Sequence, residues 1–157
     1  MNEAPAGDTR PLLEHPLLPI ANEDDAERTA AAALPYIAAA GGSVTLVYVL
    51  EKAGGAMDKA PVEQREELAE AAFAVFREAA EEAGVPVDSE VHYDTDVVDA
   101  VFDAADEADA TAIVFRPRGG RSVLDLLTGD VRDRIVTESR RPVVVLPQTD
   151  ESDGNDD

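Results

Sequence analysis

Five short apolar runs alternate with four helix-patterned segments between Pro16 and Pro147. Few folds accept that order. A strand, a helix and a second strand in succession need a crossover that lays the two strands parallel, so the alternation predicts a parallel sheet covered by helices. The runs are Pro16–Ile20, Ser43–Leu50, Val85–Tyr93, Thr111–Phe115 and Pro142–Pro147. No internal repeat at a period of about 20 to 50 residues competes with this reading.

The helical segments carry their own start and stop signals. Asn22 can cap the first, with Glu23, Asp24 and Asp25 in the turn where the helix dipole favours negative charge. Its apolar positions are Ala26, Ala30, Ala33, Leu34 and Ile37; Pro35 should kink it, and Gly41–Gly42 should end it. Pro61 opens the second, whose Leu68, Ala72, Val75, Phe76, Ala79 and Ala83 form a stripe closed by Gly84. Asp96 caps a third, carrying Val97, Val98, Val101, Phe102 and Ala105, and a fourth runs from about Asp130 to Ser139.

Strand character differs along the chain. Ser43–Leu50 is apolar without strict alternation, as a strand covered on both faces should be. Val85, Val87, Val91 and Tyr93 alternate with Asp88, Glu90 and His92, which predicts a sheet edge with His92 solvated. The other four strands can be covered on both faces. The expected fold class is therefore α/β: one doubly wound, five-stranded parallel sheet with four helices, binding ligands at the carboxyl ends of its strands near the topological switch. The domain should span residues 15–148. Residues 1–14 read as a mobile arm and 149–157 as an acidic solvated tail.

Charge excludes whole classes of partner. Asp plus Glu number 34 against 13 Lys plus Arg, a net of −21, which repels nucleic acid and anionic membrane surfaces. Lysine occurs only at Lys52 and Lys59, yet hydrophobic content is 45%, too high for an acidic disordered chain. Together these features predict a folded protein adapted to a salt-rich cytoplasm, where screening shortens the Debye length to about 3 Å at 1 M. Cysteine is absent, which removes disulfides and thiolate sites. His15 and His92 lie too far apart to read as a metal-ligand pair. No apolar run reaches the roughly 20 residues that span a bilayer, and no signal segment is expected, so the expected location is the cytoplasm.

The stretch from Thr111 to Pro147 holds the candidate site. A Gly-rich connection between a strand and a helix N-terminus is a usual place for phosphate, because free backbone N–H groups converge there. Here Gly119, Gly120 and Gly129 lie beside Arg116, Arg118 and Arg121. These arginines either pair with carboxylates such as Asp125, Asp130 and Asp133 or clamp an anion bidentately. A Walker loop is missing its lysine and its first glycine, and no Gly-x-Ser-x-Gly elbow occurs. Asp24, Asp25 and Asp94 resemble a receiver-domain acidic pocket, but the last strand is followed by Leu-Pro-Gln-Thr-Asp with no lysine.

Over Pro16 to Pro147 the chain resembles the universal stress protein family. The shared features are the βα order, the final Pro-Val-Val-Val-Leu-Pro strand and a loop of the form G-x2-G-x9-G-(S/T), in which Gly119, Gly129 and the following Val131 are kept. The resemblance implies adenine nucleotide binding, with Val49 against adenine, and pairing of Val143–Leu146 with its twin in a homodimer. Three positions depart. Ala21 stands where nucleotide-binding members have Asp. Arg116 replaces the first loop glycine, and its side chain narrows the backbone approach to phosphate. Asp130 replaces the Ser/Thr donor; a carboxylate only accepts, and it should serve as a helix N-cap instead. The sequence therefore predicts a non-enzymatic stress or regulatory protein with no cofactor, and possible partners limited to its twin and a regulatory protein. An ATP or AMP switch using Mg, Gly119, Gly129 and the arginines remains open, as does a receiver-like phosphoacceptor.

Overall fold

The computed structural model describes residues 9–51, 59–117 and 129–147. In chain order the elements are β1 (Pro16–Pro19), α1 (Glu23–Ala39), β2 (Val44–Glu51), α2 (Lys59–Ala83), β3 (Val87–Asp94), α3 (Val97–Ala108), β4 (Ala112–Phe115), α4 (Gly129–Glu138) and β5 (Val143–Val145). All strands pair parallel, in the order β3-β2-β1-β4-β5. The chain winds outward from β1 to β3, then returns to β4 on the other side of β1. The topological switch therefore lies between β1 and β4.

Two apolar layers sandwich the sheet. On one face α1 and α2 bury Ala26, Ala30, Ile37, Phe73 and Phe76 against Leu18, Ile20, Leu46 and Val114. On the other, Val98, Val101 and Ala105 of α3 and Ile135 of α4 cover Leu17, Val47, Val49, Ile113 and Phe115. Tyr48 meets Phe73 edge-on, with ring centroids 6.2 Å apart. Such a T-shaped pair matches the positive edge of one ring to the negative face of the other. Burial pushes the Tyr48 hydroxyl pKa up, partly offset by Arg65.

Local signals explain most boundaries. The Asn22 side chain accepts from Asp25 N at 2.7 Å, and Asp96 accepts from Val98 N and Asp99 N. Both therefore cap as their sequence positions predict. α1 runs unbroken through Pro35. Gly41 takes a left-handed φ of 67°, which L side chains rarely adopt, and ends that helix.

Several expectations are corrected. The buried row of α2 is Ala69, Ala72, Phe73, Phe76 and Ala80, while Leu68 is 55% exposed. The stripe is rotated by about one residue, because alanines on several faces blur the period. β3 is an edge strand as expected, but so is β5, whose Val145 is half exposed. His92 is not a solvated edge residue. Its ring is mostly covered and lies 3.0 Å from a Glu90 oxygen. Residues 10–14, assigned to a mobile arm, are tied to the body: Arg10 donates to the Asp109 carbonyl, Thr111 Oγ1 to the Leu12 carbonyl and Ser43 N to the Glu14 carbonyl. Residues 1–8 and the tail from 149 lie outside the described residues.

Candidate functional site at the sheet switch point

β1 and β4 deliver their carboxyl ends side by side, and the residues just beyond them lie at the topological switch. From β1 come Ile20, whose N–H donates to Val47 at 2.9 Å, then Ala21 and the cap Asn22. From β4 comes Arg116, directly after Phe115.

Arg116 is an interior residue, 6% exposed, and its Nη2 donates to Asp25 Oδ1 at 3.2 Å. Asp25 is 2% exposed. Its carboxylate is fully used: Oδ2 accepts from Ala21 N at 2.8 Å, and Oδ1 also accepts from Thr29 Oγ1 at 3.3 Å. The Asn22 side chain thus accepts from Asp25 N while the Asp25 carboxylate reaches back past it to Ala21 N, so two backbone donors at the helix start are satisfied. One guanidinium group stays short of partners, since Arg116 Nε has none among the described residues.

By sequence, Asp125, Asp130 and Asp133 are the carboxylate partners expected for the arginines. Arg116 instead takes Asp25, 91 residues away. One signal was readable. Asp25 and Thr29 fall on the same four-residue row of α1 as Ala33 and Ile37, so two polar side chains occupy a buried stripe. A buried carboxylate needs a cationic or hydrogen-bonding partner, and the arginine after β4 is the one topology brings there.

The other candidate residues fall as follows. Val49 lies in β2, 8% exposed, within the layer covered by α3. Val131 is half-buried and packs against the same layer. Gly129 is the first residue of α4, which makes Asp130 a residue of its first turn and not the flanking cap. There its exposed carboxylate still faces the positive end of the dipole. Gly119, Arg118 and Arg121 lie outside the described residues, as does Asp125. Arg134 and Arg141 pair with Asp96 and Asp106.

His15 sits at the amino ends of the strands, with Nδ1 2.7 Å from Ser43 Oγ and Nε2 3.0 Å from Thr45 Oγ1. The receiver-like set does not assemble. Receivers place β3 beside β1, whereas here β2 intervenes. Asp24 pairs with Arg28, and Asp94 accepts from Asp96 N.

A model of the universal stress protein family matches residues 14–147. The chain belongs to the universal stress protein family. Solved members agree with the architecture. A universal stress protein from Archaeoglobus fulgidus is 25% identical, with 84% of this chain and 92% of that one covered at a TM-score of 0.61. A Burkholderia pseudomallei member is 23% identical over 87% and 97%, at 0.67. A third, the Archaeoglobus fulgidus universal stress protein in complex with dAMP, is 24% identical over 85% and 98%, at 0.59. No curated protein matches. Among the described residues, no helix is long and apolar enough to cross a membrane.

Proposed function

We propose that this universal stress protein is a non-catalytic, cytoplasmic regulatory member of its family in which an internal ion pair has replaced an efficient ATP site. The observation that carries this reading is the buried Arg116–Asp25 pair at the switch point. A phosphate or ribose entering between β1 and β4 meets an arginine side chain where the family pattern has glycine, and a carboxylate already saturated by three donors. Ala21 offers no side-chain acceptor, and Asp130 offers no donor. Each lost polar contact costs about 1 to 3 kcal/mol, so three together remove most of a micromolar site worth about 8 kcal/mol.

Reversal tests the assignment. Ala21→Asp, Arg116→Gly and Asp130→Ser restore the family pattern, and Asp25→Asn must accompany them. Without it, two carboxylates would crowd the site with no arginine between them. The fourfold variant should bind Mg-ATP measurably by calorimetry where the unmodified chain does not; a variant that folds yet stays silent contradicts the reading. The competing reading is an ATP or AMP switch, with the arginines acting as a phosphate clamp. The dAMP complex of the Archaeoglobus fulgidus relative supports it.

The same reading includes a homodimer through Val143–Leu146. β5 is an edge strand carrying an exposed valine, and such an edge invites pairing with a second copy. Light scattering should give a dimer, and Val145→Asp should give a monomer. A monomeric unmodified chain contradicts the claim.

A further inference from the structure

Away from the switch point, β3 and α3 bring three metal-ligating groups together. Glu90 and His92 are two residues apart on β3 and so share a face of the sheet. They register with Val47 and Val49 of β2, which belong to the layer covered by α3. The last turn of α3 then carries Glu107 over the same face. His92 Nε2 lies 3.0 Å from Glu90 Oε1 and 3.8 Å from Glu107 Oε1, and one ligand atom from each residue falls within 4.8 Å of the others. A tetrahedral ion with bonds of 2.0 to 2.2 Å spaces its ligands about 3.4 Å apart. Small side-chain rotations bring this set to that spacing.

We propose that Glu90, His92 and Glu107 form a binding site for a divalent transition-metal cation of the zinc class. Two carboxylates and one imidazole nitrogen are the donor set of an open three-ligand site, with the fourth position left to water. Charge points the same way. Among the described residues neither glutamate forms an ion pair with lysine or arginine, and both lie against His92 instead. Glu90 only accepts, so the 3.0 Å contact places a proton on His92 Nε2, and an entering cation would take the place of that proton between the two carboxylates. The nitrogen is what separates this set from a hydrated acidic patch. Mg and Ca prefer oxygen alone, whereas imidazole selects the later transition metals. His92 is 17% exposed and Glu107 64% exposed, so the ring is held in place while the third ligand remains open to an entering ion.

The test is calorimetry on the full chain, stripped with chelator and dialysed into about 1 M potassium chloride at neutral pH, with zinc chloride alone as the titrant. One equivalent should bind, and the melting temperature should rise. His92→Gln and Glu107→Gln should each weaken binding at least about tenfold, since even outer-shell partners of metal ligands are worth about 10- to 100-fold. Glu107 is exposed on a helix, so its variant retains the fold and keeps the test decisive. Cobalt should give the visible absorption of a four-coordinate site, lost in His92→Gln. No zinc heat, zinc binding untouched by both variants, or magnesium and calcium binding as tightly as zinc would each overturn the site.

Discussion

At the scale of single residues, Arg116 and Asp25 form an interior ion pair beside the carboxyl ends of β1 and β4. Their pair is buried on both sides, at 6% and 3% side-chain exposure. Taking two charges out of water is expensive, and mutual attraction offsets that cost only while both partners remain. Arg116→Met should therefore cost about 3 to 5 kcal/mol in urea unfolding, because Asp25 is left charged and unpaired. Adding Asp25→Asn should recover a large part of that loss. The amide still accepts from Ala21 N, and it carries no charge. A single variant as stable as the parent would show that the pair does not organise the site. Little of this pairing was legible in the sequence. Arg116 stood out by replacing a glycine, but its partner lies 91 residues away, on a helix start where Asp25 reads first as a favourable dipole charge. Glu107 was hidden in the same way: nothing in its spacing ties it to His92 until α3 folds over β3.

Among the elements, the caps of α1 and α3 were readable, because a cap is a contact within three residues, whereas Asp130 lies inside the first turn of α4 and not at its cap. Asn22 and Asp96 were both found on that basis. Stripe and edge assignments fared less well where packing decides them. α2 carries alanine on several faces, so Leu68 could be placed inward from sequence although it faces out. β5 reads as a strand that can be covered on both faces because it is all valine, yet at the sheet edge its Val145 is 50% exposed. The α3 cap also gives a pH dependence. The backbone N–H of Asp99, together with Arg134, holds the Asp96 carboxyl below its usual pKa. A carboxyl depressed in the folded state adds stability above its unfolded pKa near 3.9 and loses it as pH falls through the lower folded value. Asp96→Ala should cost about 1 kcal/mol at neutral pH. That difference should shrink in acid below about pH 4. Unfolding of parent and variant at both pH values checks this, and an undiminished difference in acid contradicts it.

For the whole molecule, the order of elements was legible and the fold class followed from it, since a βα alternation of this length dictates a parallel sheet covered by helices, while the strand order β3-β2-β1-β4-β5 came only from the structure. The net charge of −21 acts at the same scale. Self-repulsion opposes compaction, and salt screens it, so the melting temperature should climb between about 0.1 M and 3 M potassium chloride. A flat profile by differential scanning calorimetry would contradict adaptation to high salt. Function is also a whole-molecule matter, because the proposal turns on whether the switch point of this chain takes a nucleotide, as the Archaeoglobus fulgidus relative in complex with dAMP does. The most direct test is a calorimetric titration of the unmodified chain with Mg-ATP in molar potassium chloride. The account predicts no binding, or a dissociation constant in the millimolar range; a micromolar constant would contradict it and make the arginines of the β4 loop a phosphate clamp.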